Sequence, residues 1–421
     1  MSGTASVNAA VGALIGLTSS YVVQRIAGTV EGTQIFGTAA MTMAVLAALV
    51  AIGAVSLFSW GRVRYPVVYG VGLAGLAIVG AVNALPAPGE WNELPVALGV
   101  AVGLLMVPVL LTATVQVWFF GGLIAAGVLG YQWDNLLGVD HLRYPGSIDP
   151  PVHTWQVAVV VVSAAALLTV MWWRRADHVD LDLSGRTVAF GATLALTSGL
   201  LARLSIETSW LPFAAVLLVL AIFVAGVRWL PRESLATLAA LTAAAAVLVI
   251  EPGLDREPST VTLVAGSAAV IGGLVVGLHL RRAGLAVGVC AGAALVGALS
   301  FVSDASWVRI VAGAVLLFAA AMAGGSALPL APSLLAGWTV LPVLASLTAR
   351  ELPTSTDGAV PAWVGVTADS YDSASPFRLH AELTAQAPPH AFEPRPDLIV
   401  PGLIAAALCA ACAVWLTRRT D

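Results

Sequence analysis

Arg174-Arg175-Ala176-Asp177-His178, continuing through to Arg186, is a charged interval between two long apolar blocks, and the rest of the chain is read outward from it. Arg and Lys collect in the short cytoplasmic loops of membrane proteins. Residues 174–187 are therefore expected to form a cytoplasmic loop, with crossings counted away from it on either side.

The flanking blocks require a lipid solvent. Of 421 residues, 59% are hydrophobic and only 10% charged, with mean hydropathy +0.93. A water-soluble domain carries about 25% charged residues. Spanning a bilayer takes about 20 mostly apolar residues in helical form. Runs of that kind predict helices near 7–26, 34–60, 67–86, 95–113, 115–132, 155–173, 188–206, 211–229, 235–251, 260–280, 285–302, 308–326, 329–349 and 398–417. The fold class is thus an all-α integral membrane protein, a polytopic bundle of about fourteen transmembrane helices with a small extracytoplasmic cap.

Two of these divisions lack charge. The run 95–132 is split near Thr112–Gln116, and the run 308–349 near Gly324–Pro332. If both runs were continuous the bundle would have twelve helices and the same orientation. Losing only one turn would break the charge pattern. With both kept, Arg62, Arg64, Arg174, Arg175, Arg186, Arg228, Arg232, Arg281, Arg282, Arg418 and Arg419 fall on the cytoplasmic side. Those eleven Arg are accompanied there by five of the 23 acids, and the other acids fall outside. The expected organisation is N-terminal helices over 1–173 with an outer loop at 133–154, and C-terminal hairpins over 188–349. An extracytoplasmic segment at 350–397 and a last helix with its tail at 398–421 follow. The first helix has no basic flank before it, so it is read as retained and not as a cleaved signal. Both termini are expected in the cytoplasm of a cell-membrane protein.

Charges at membrane depth usually mark proton relays and substrate sites, and they are nearly missing. Arg25, Arg203, Glu251 and Arg309 sit near outer helix ends, where long side chains reach the interface. Arg203 and Glu207, four apart, share a helix face and form a candidate outer-face contact. Asn83, Gln116 and Gln24 are expected to bond to neighbouring helices. Gly284, Gly288 and Gly292 recur every four residues, the spacing that lets a second backbone approach closely. They are the candidate packing seam, expected to close within this chain; Gly12/Gly16 and Gly99/Gly103 repeat the pattern. Pro108, Pro342 and Pro401 interrupt apolar runs.

All three Cys lie in apolar runs. Cys409-Ala-Ala-Cys412 has redox spacing, but no charge nearby favours its thiolates, so these are read as small core residues. His141 and His153 with Asp134, Asp140 and Asp149 share one outer loop, and His380, Glu382 and His390 the other. No helical metal-binding spacing joins them, and solvated loop residues are expected. Hairpin tips at Glu207–Trp210, Glu251–Asp255 and Ser303–Trp307 recur about every 50 residues, which is read as ordinary interfacial patterning.

No catalytic, metal or cofactor-binding residue is assigned, and no cofactor is expected. The expected partners are the lipid bilayer and other membrane proteins, and not nucleic acid. The reading carried forward is a transporter or flippase-like protein for a lipid-like or uncharged substrate, without carboxylate-based ion coupling. The alternative is a non-catalytic membrane scaffold subunit of an envelope or secretion complex. A third class, an enzyme built on the outer His/Asp loops, has less support.

Overall fold

The computed structural model describes residues 8–19, 33–60, 63–84, 94–112, 115–125, 154–174, 178–179, 183–206, 221–222, 224–249, 260–300, 305–341 and 399–418. They form an all-α polytopic membrane bundle. In chain order the helices are α1 (Asn8–Ser19), α2 (Thr33–Ser59), α3 (Tyr65–Ala84), α4 (Leu94–Leu110), α5 (Val115–Ala125), α6 (Thr154–Trp173) and α7 (Gly185–Ile206). Then come α8 (221–229, with residue 223 outside the description), α9 (Arg232–Val249), α10 (Thr260–Leu280), α11 (Ala283–Ser300), α12 (Ser306–Ala327), α13 (Pro332–Trp338) and α14 (Ile399–Arg418). Five helices, α2, α3, α10, α11 and α12, are long and apolar enough on their described residues to cross a membrane. Both uncharged turns expected from the sequence are present, so neither long run is one continuous helix. The outer segments 133–153 and 350–397 lie outside the described residues.

Packing sorts twelve helices into two sets. In the first, α1 lies along α5, with Gly12 against Val115 and Phe119 and Gly16 against Phe119 and Leu123. Helix α2 lies along α4, where Gly99 meets Met43 and Gly103 meets Ala47. Helix α3 packs on α4 and α6. In the second set α7 lies along α13, with Gly191 against the Ser333 carbonyl. Helix α10 lies along α12, with Gly273 against Phe318 and Gly277 against Met322, and α11 packs on α12 and α14. The pairings match one to one: α1 to α6 correspond to α7, α10, α11, α12, α13 and α14. Helices α8 and α9 are an insertion after the first helix of the second set, with α9 wedged among α11, α12 and α14. Helix α2 also packs on α7 across the sets, and two further contacts between sets are reciprocal. Helix α2 touches α13 while α5 touches α10 through Gly121 and Leu274, and α4 touches α13 while α5 touches α12 through Phe120 and Gly324. This is a direct six-helix repeat about an axis along the bundle.

The glycine contacts are where the sequence specifies this packing. A Cβ at Gly75 would lie 2.5 Å from the Ala101 carbonyl, and one at Gly103 2.7 Å from the Ala47 carbonyl. Lipid tails are as apolar as Leu, so helix association inside a bilayer depends on such close fits and on interhelical hydrogen bonds.

The same contacts bring the Arg residues to one face. Strand β1 (Val63–Arg64) pairs antiparallel with β2 (His178–Val179), joining the α2–α3 and α6–α7 connections. Arg174 stacks on Tyr65, its guanidinium carbon 3.7 Å from the ring centroid. Helix α10 runs parallel to α12, so Arg281 and Arg282 end where α12 ends. Gly226 packs on Phe190, placing Arg228 and Arg232 beside the start of α7. Gly288 and Ala413 lie opposite each other, so the end of α14 at Arg418 meets the start of α11. Arg64, Arg174, Arg186, Arg228, Arg232, Arg281, Arg282 and Arg418 therefore share one end of the bundle. Among the described residues, only Arg203 and Arg309 lie at the other end. Exposed Trp60, Trp172, Trp173 and Trp229 ring the Arg-bearing face, as interfacial aromatics do.

Candidate functional site at the paired helix breaks

The turns α4–α5 and α12–α13 occupy equivalent places in the two six-helix sets and meet at the centre of the Arg-bearing half. A helix break leaves backbone groups without intrahelical partners, and hydrocarbon offers no water to replace them. One side chain answers much of that need. The Gln116 amide nitrogen donates to the Leu110 carbonyl (2.9 Å), at the end of α4, and to the Leu330 carbonyl (3.2 Å), in the other turn. Its amide oxygen accepts from the Leu330 N–H at 2.9 Å. The carboxamide thus pairs with both polar groups of Leu330 as a neighbouring strand would. Pro329, which has no N–H, precedes it. Gln116 is buried, and its own N–H donates to the Thr112 carbonyl (3.1 Å).

Above the clamp the two fifth helices pack ring on ring. Phe120 and Trp338 have centroids 5.7 Å apart at 49°. Phe120 also fills the space over Gly324, where any added Cβ would collide with the ring. Trp338 is 1% exposed and its indole nitrogen has no hydrogen-bond partner. The Ser333 hydroxyl, also buried beneath α7, has none either. Pro108 is buried against Gly72. Gln116 and Pro108 are therefore packed in protein at this level.

Among the described residues Glu233 is the only acid, and it is exposed in the first turn of α9 at the Arg-bearing face. No described span carries a carboxylate at membrane depth.

The other sequence candidates are scattered. Arg203 is exposed in the last turn of α7, while Glu207 lies outside the described residues, so their pairing is not described. Of the expected seam Gly284, Gly288 and Gly292, the first is half-buried and the other two are exposed. Gly288 and Gly292 face outward; Gly288 has only the Ala413 Cβ at 4.0 Å, and Gly292 has nothing within 4 Å among the described residues. The reason is rotational: α11 turns Ala286, Cys290, Ala293, Ala294 and Gly297 inward instead. Gly12/Gly16 and Gly99/Gly103 do sit in seams. Cys290 and Cys409 are buried free thiols and Cys412 is half-buried. The side chains of Asn83 and Gln24, and both outer His/Asp clusters, lie outside the described residues. The sequence leads one to expect that Gln116 bonds to a neighbouring helix, but not that it bridges the two breaks. Its coincidence with an uncharged break was the signal that it holds that break.

No protein-family model matches this chain, and no curated protein matches it significantly. Among solved structures, a crystal structure of tetrameric PepTSo2 aligns over 99% of this chain and 97% of its own length, at 12% identity and a TM-score of 0.42. At that degree the likeness decides neither mechanism nor substrate.

Proposed function

We propose that the chain is a multi-pass cell-membrane transporter or flippase-like protein for a lipid-like or uncharged substrate, with its Arg-bearing face and both termini in the cytoplasm. The observation carrying this reading is the direct six-helix repeat whose two broken segments are clamped together by Gln116 and Leu330. Repeats related by an axis along the membrane normal, with sites at the repeat interface near interrupted helices, are a recurrent transporter plan. In this reading the clamp and the Phe120–Trp338 pair close the pathway at the Arg-bearing face, and they part when the site opens there. Among the described residues the one carboxylate, Glu233, lies at the Arg-bearing face and not at membrane depth, in keeping with a mechanism without such ion coupling.

The test is a reversible lock. In a background with Cys290, Cys409 and Cys412 replaced by Ala, Gln116→Cys and Leu330→Cys are introduced together. Proteoliposomes containing fluorescent phospholipids are assayed for transbilayer movement. Oxidation is expected to stop the movement and reduction to restore it. Movement unaffected by a lock shown to form would contradict the gate. No protein-dependent movement of any lipid tried would count against the lipid-like substrate.

A second reading, a scaffold subunit, is favoured by one observation: α11 turns Gly288 and Gly292 outward, with nothing within 4 Å of a Cβ at Gly292 among the described residues. Stoichiometric co-purification of another membrane protein, lost on Gly292→Leu, would support it.

A further inference from the structure

Behind the Arg-bearing face lies a cluster of buried polar groups that neither the clamp nor the ring pair uses. The Tyr69 side chain is 0% exposed and Thr112 is 7% exposed, and neither hydroxyl makes a hydrogen bond of good geometry among the described residues. The two hydroxyls are neighbours, and the Arg174 guanidinium and Tyr65 also lie beside Tyr69. Two buried hydroxyls left unpaired are costly, and each costs about 1–3 kcal/mol in general. They border a half-buried cation already held in place by stacking on Tyr65, whose ring in turn stacks on Tyr69 with centroids 6.0 Å apart.

Depth identifies the ligand chemistry. Arg174 follows directly on α6, whose final Trp172 and Trp173 are exposed, and Trp60 is exposed at the adjoining end of α2. Such Trp residues sit at headgroup level. A guanidinium with two hydroxyls at that level offers charge-assisted donors to an oxyanion with several acceptor oxygens. Basic pockets between helices at this depth suit phosphate-bearing headgroups.

We propose that Tyr69, Thr112 and Arg174 form a binding site for a phosphate group, presented by an anionic phospholipid of the adjoining leaflet or by free phosphate. Thr112 belongs to the α4–α5 turn and its carbonyl accepts from the Gln116 N–H, so an occupied site also braces the clamp against α3 and α6.

The test uses the full chain, delipidated in detergent, with unfolding followed by intrinsic fluorescence. Three probes are titrated: dioleoyl-phosphatidylglycerol, dioleoylglycerol, which has the same chains without phosphate, and inorganic phosphate. Phosphatidylglycerol is expected to raise the unfolding temperature saturably and dioleoylglycerol not to. Arg174→Gln is expected to weaken half-saturation about tenfold or more, and Tyr69→Phe and Thr112→Val about threefold each. Arg186→Gln, exposed on the same face, should leave it unchanged. If Arg174→Gln does not fold, the shape-preserving Tyr69→Phe carries the comparison. An equal response to inorganic phosphate, lost in Tyr69→Phe, assigns the site to free phosphate. No response to either phosphate-bearing probe would overturn the proposal. So would a response to dioleoylglycerol equal to that of phosphatidylglycerol, or equal weakening by Arg186→Gln.

Discussion

Gln116 and Leu330 lie 214 positions apart, yet the carboxamide of one takes both the carbonyl and the N–H of the other's peptide. The bond joins two helix breaks that no charge marks in the sequence. Gln116→Leu removes it at nearly constant volume and leaves the Leu330 groups and the Leu110 carbonyl without that partner. Side-chain hydrogen bonds between membrane helices are worth about 0.6–1.7 kcal/mol each. A loss of about 1–3 kcal/mol is expected, read as a lower midpoint in detergent unfolding. Gln116→Glu should fare no better, because a carboxylate cannot donate to two carbonyls. A midpoint unchanged in Gln116→Leu would remove the clamp from the account.

Glycine substitutions should divide by the face they occupy. Gly277 sits against the Met322 carbonyl and has Ser326 N 2.8 Å from where a Cβ would lie. Gly277→Val must force α10 and α12 apart, and a sharp drop in folded yield by size-exclusion profile is expected. At Gly292 a Cβ meets nothing within 4 Å among the described residues, and Gly292→Val should match the parent protein in the same assay.

Arg281 is the one described non-glycine residue with positive φ, at 44°, and its N–H donates to the Gly277 carbonyl in the two-residue turn between α10 and α11. Left-handed backbone costs an ordinary L-residue about 1 kcal/mol. Arg281→Gly should relieve that cost and raise the unfolding midpoint, whereas Arg281→Val should lower it. Arg282 keeps a positive charge in the turn in both variants.

Much of the fold was legible in the sequence because apolar length and Arg placement are strong physical constraints. Helix ends at Ser59, Tyr65, Trp173, Thr260, Leu280 and Arg418 fall within a few residues of the breaks in hydropathy, and the eight described Arg expected on one side gather there. The direct repeat was not legible. It lies in which helices pair, and the lipid-compatible residues Ala, Val, Leu and Gly satisfy many pairings alike. The hairpin-tip periodicity near 50 residues did not point to it, since equivalent helices are separated by the inserted α8 and α9. The orientation of the Gly284–Gly292 face was not legible for a related reason. Spacing of four fixes a shared helix face, as it does for Gly288 and Gly292, but not which way that face turns. The Tyr69–Thr112–Arg174 cluster was invisible because its members come from three separate segments.

Sidedness tests the central claim most directly. In a Cys-free background, Ser184→Cys in the Arg-bearing turn and Ser373→Cys in the 350–397 segment are labelled with an impermeant maleimide in intact cells and then in lysed cells. Ser373→Cys is expected to label in intact cells and Ser184→Cys only after lysis. Labelling of both positions from the same side would contradict the crossing count, the orientation and the paired breaks together.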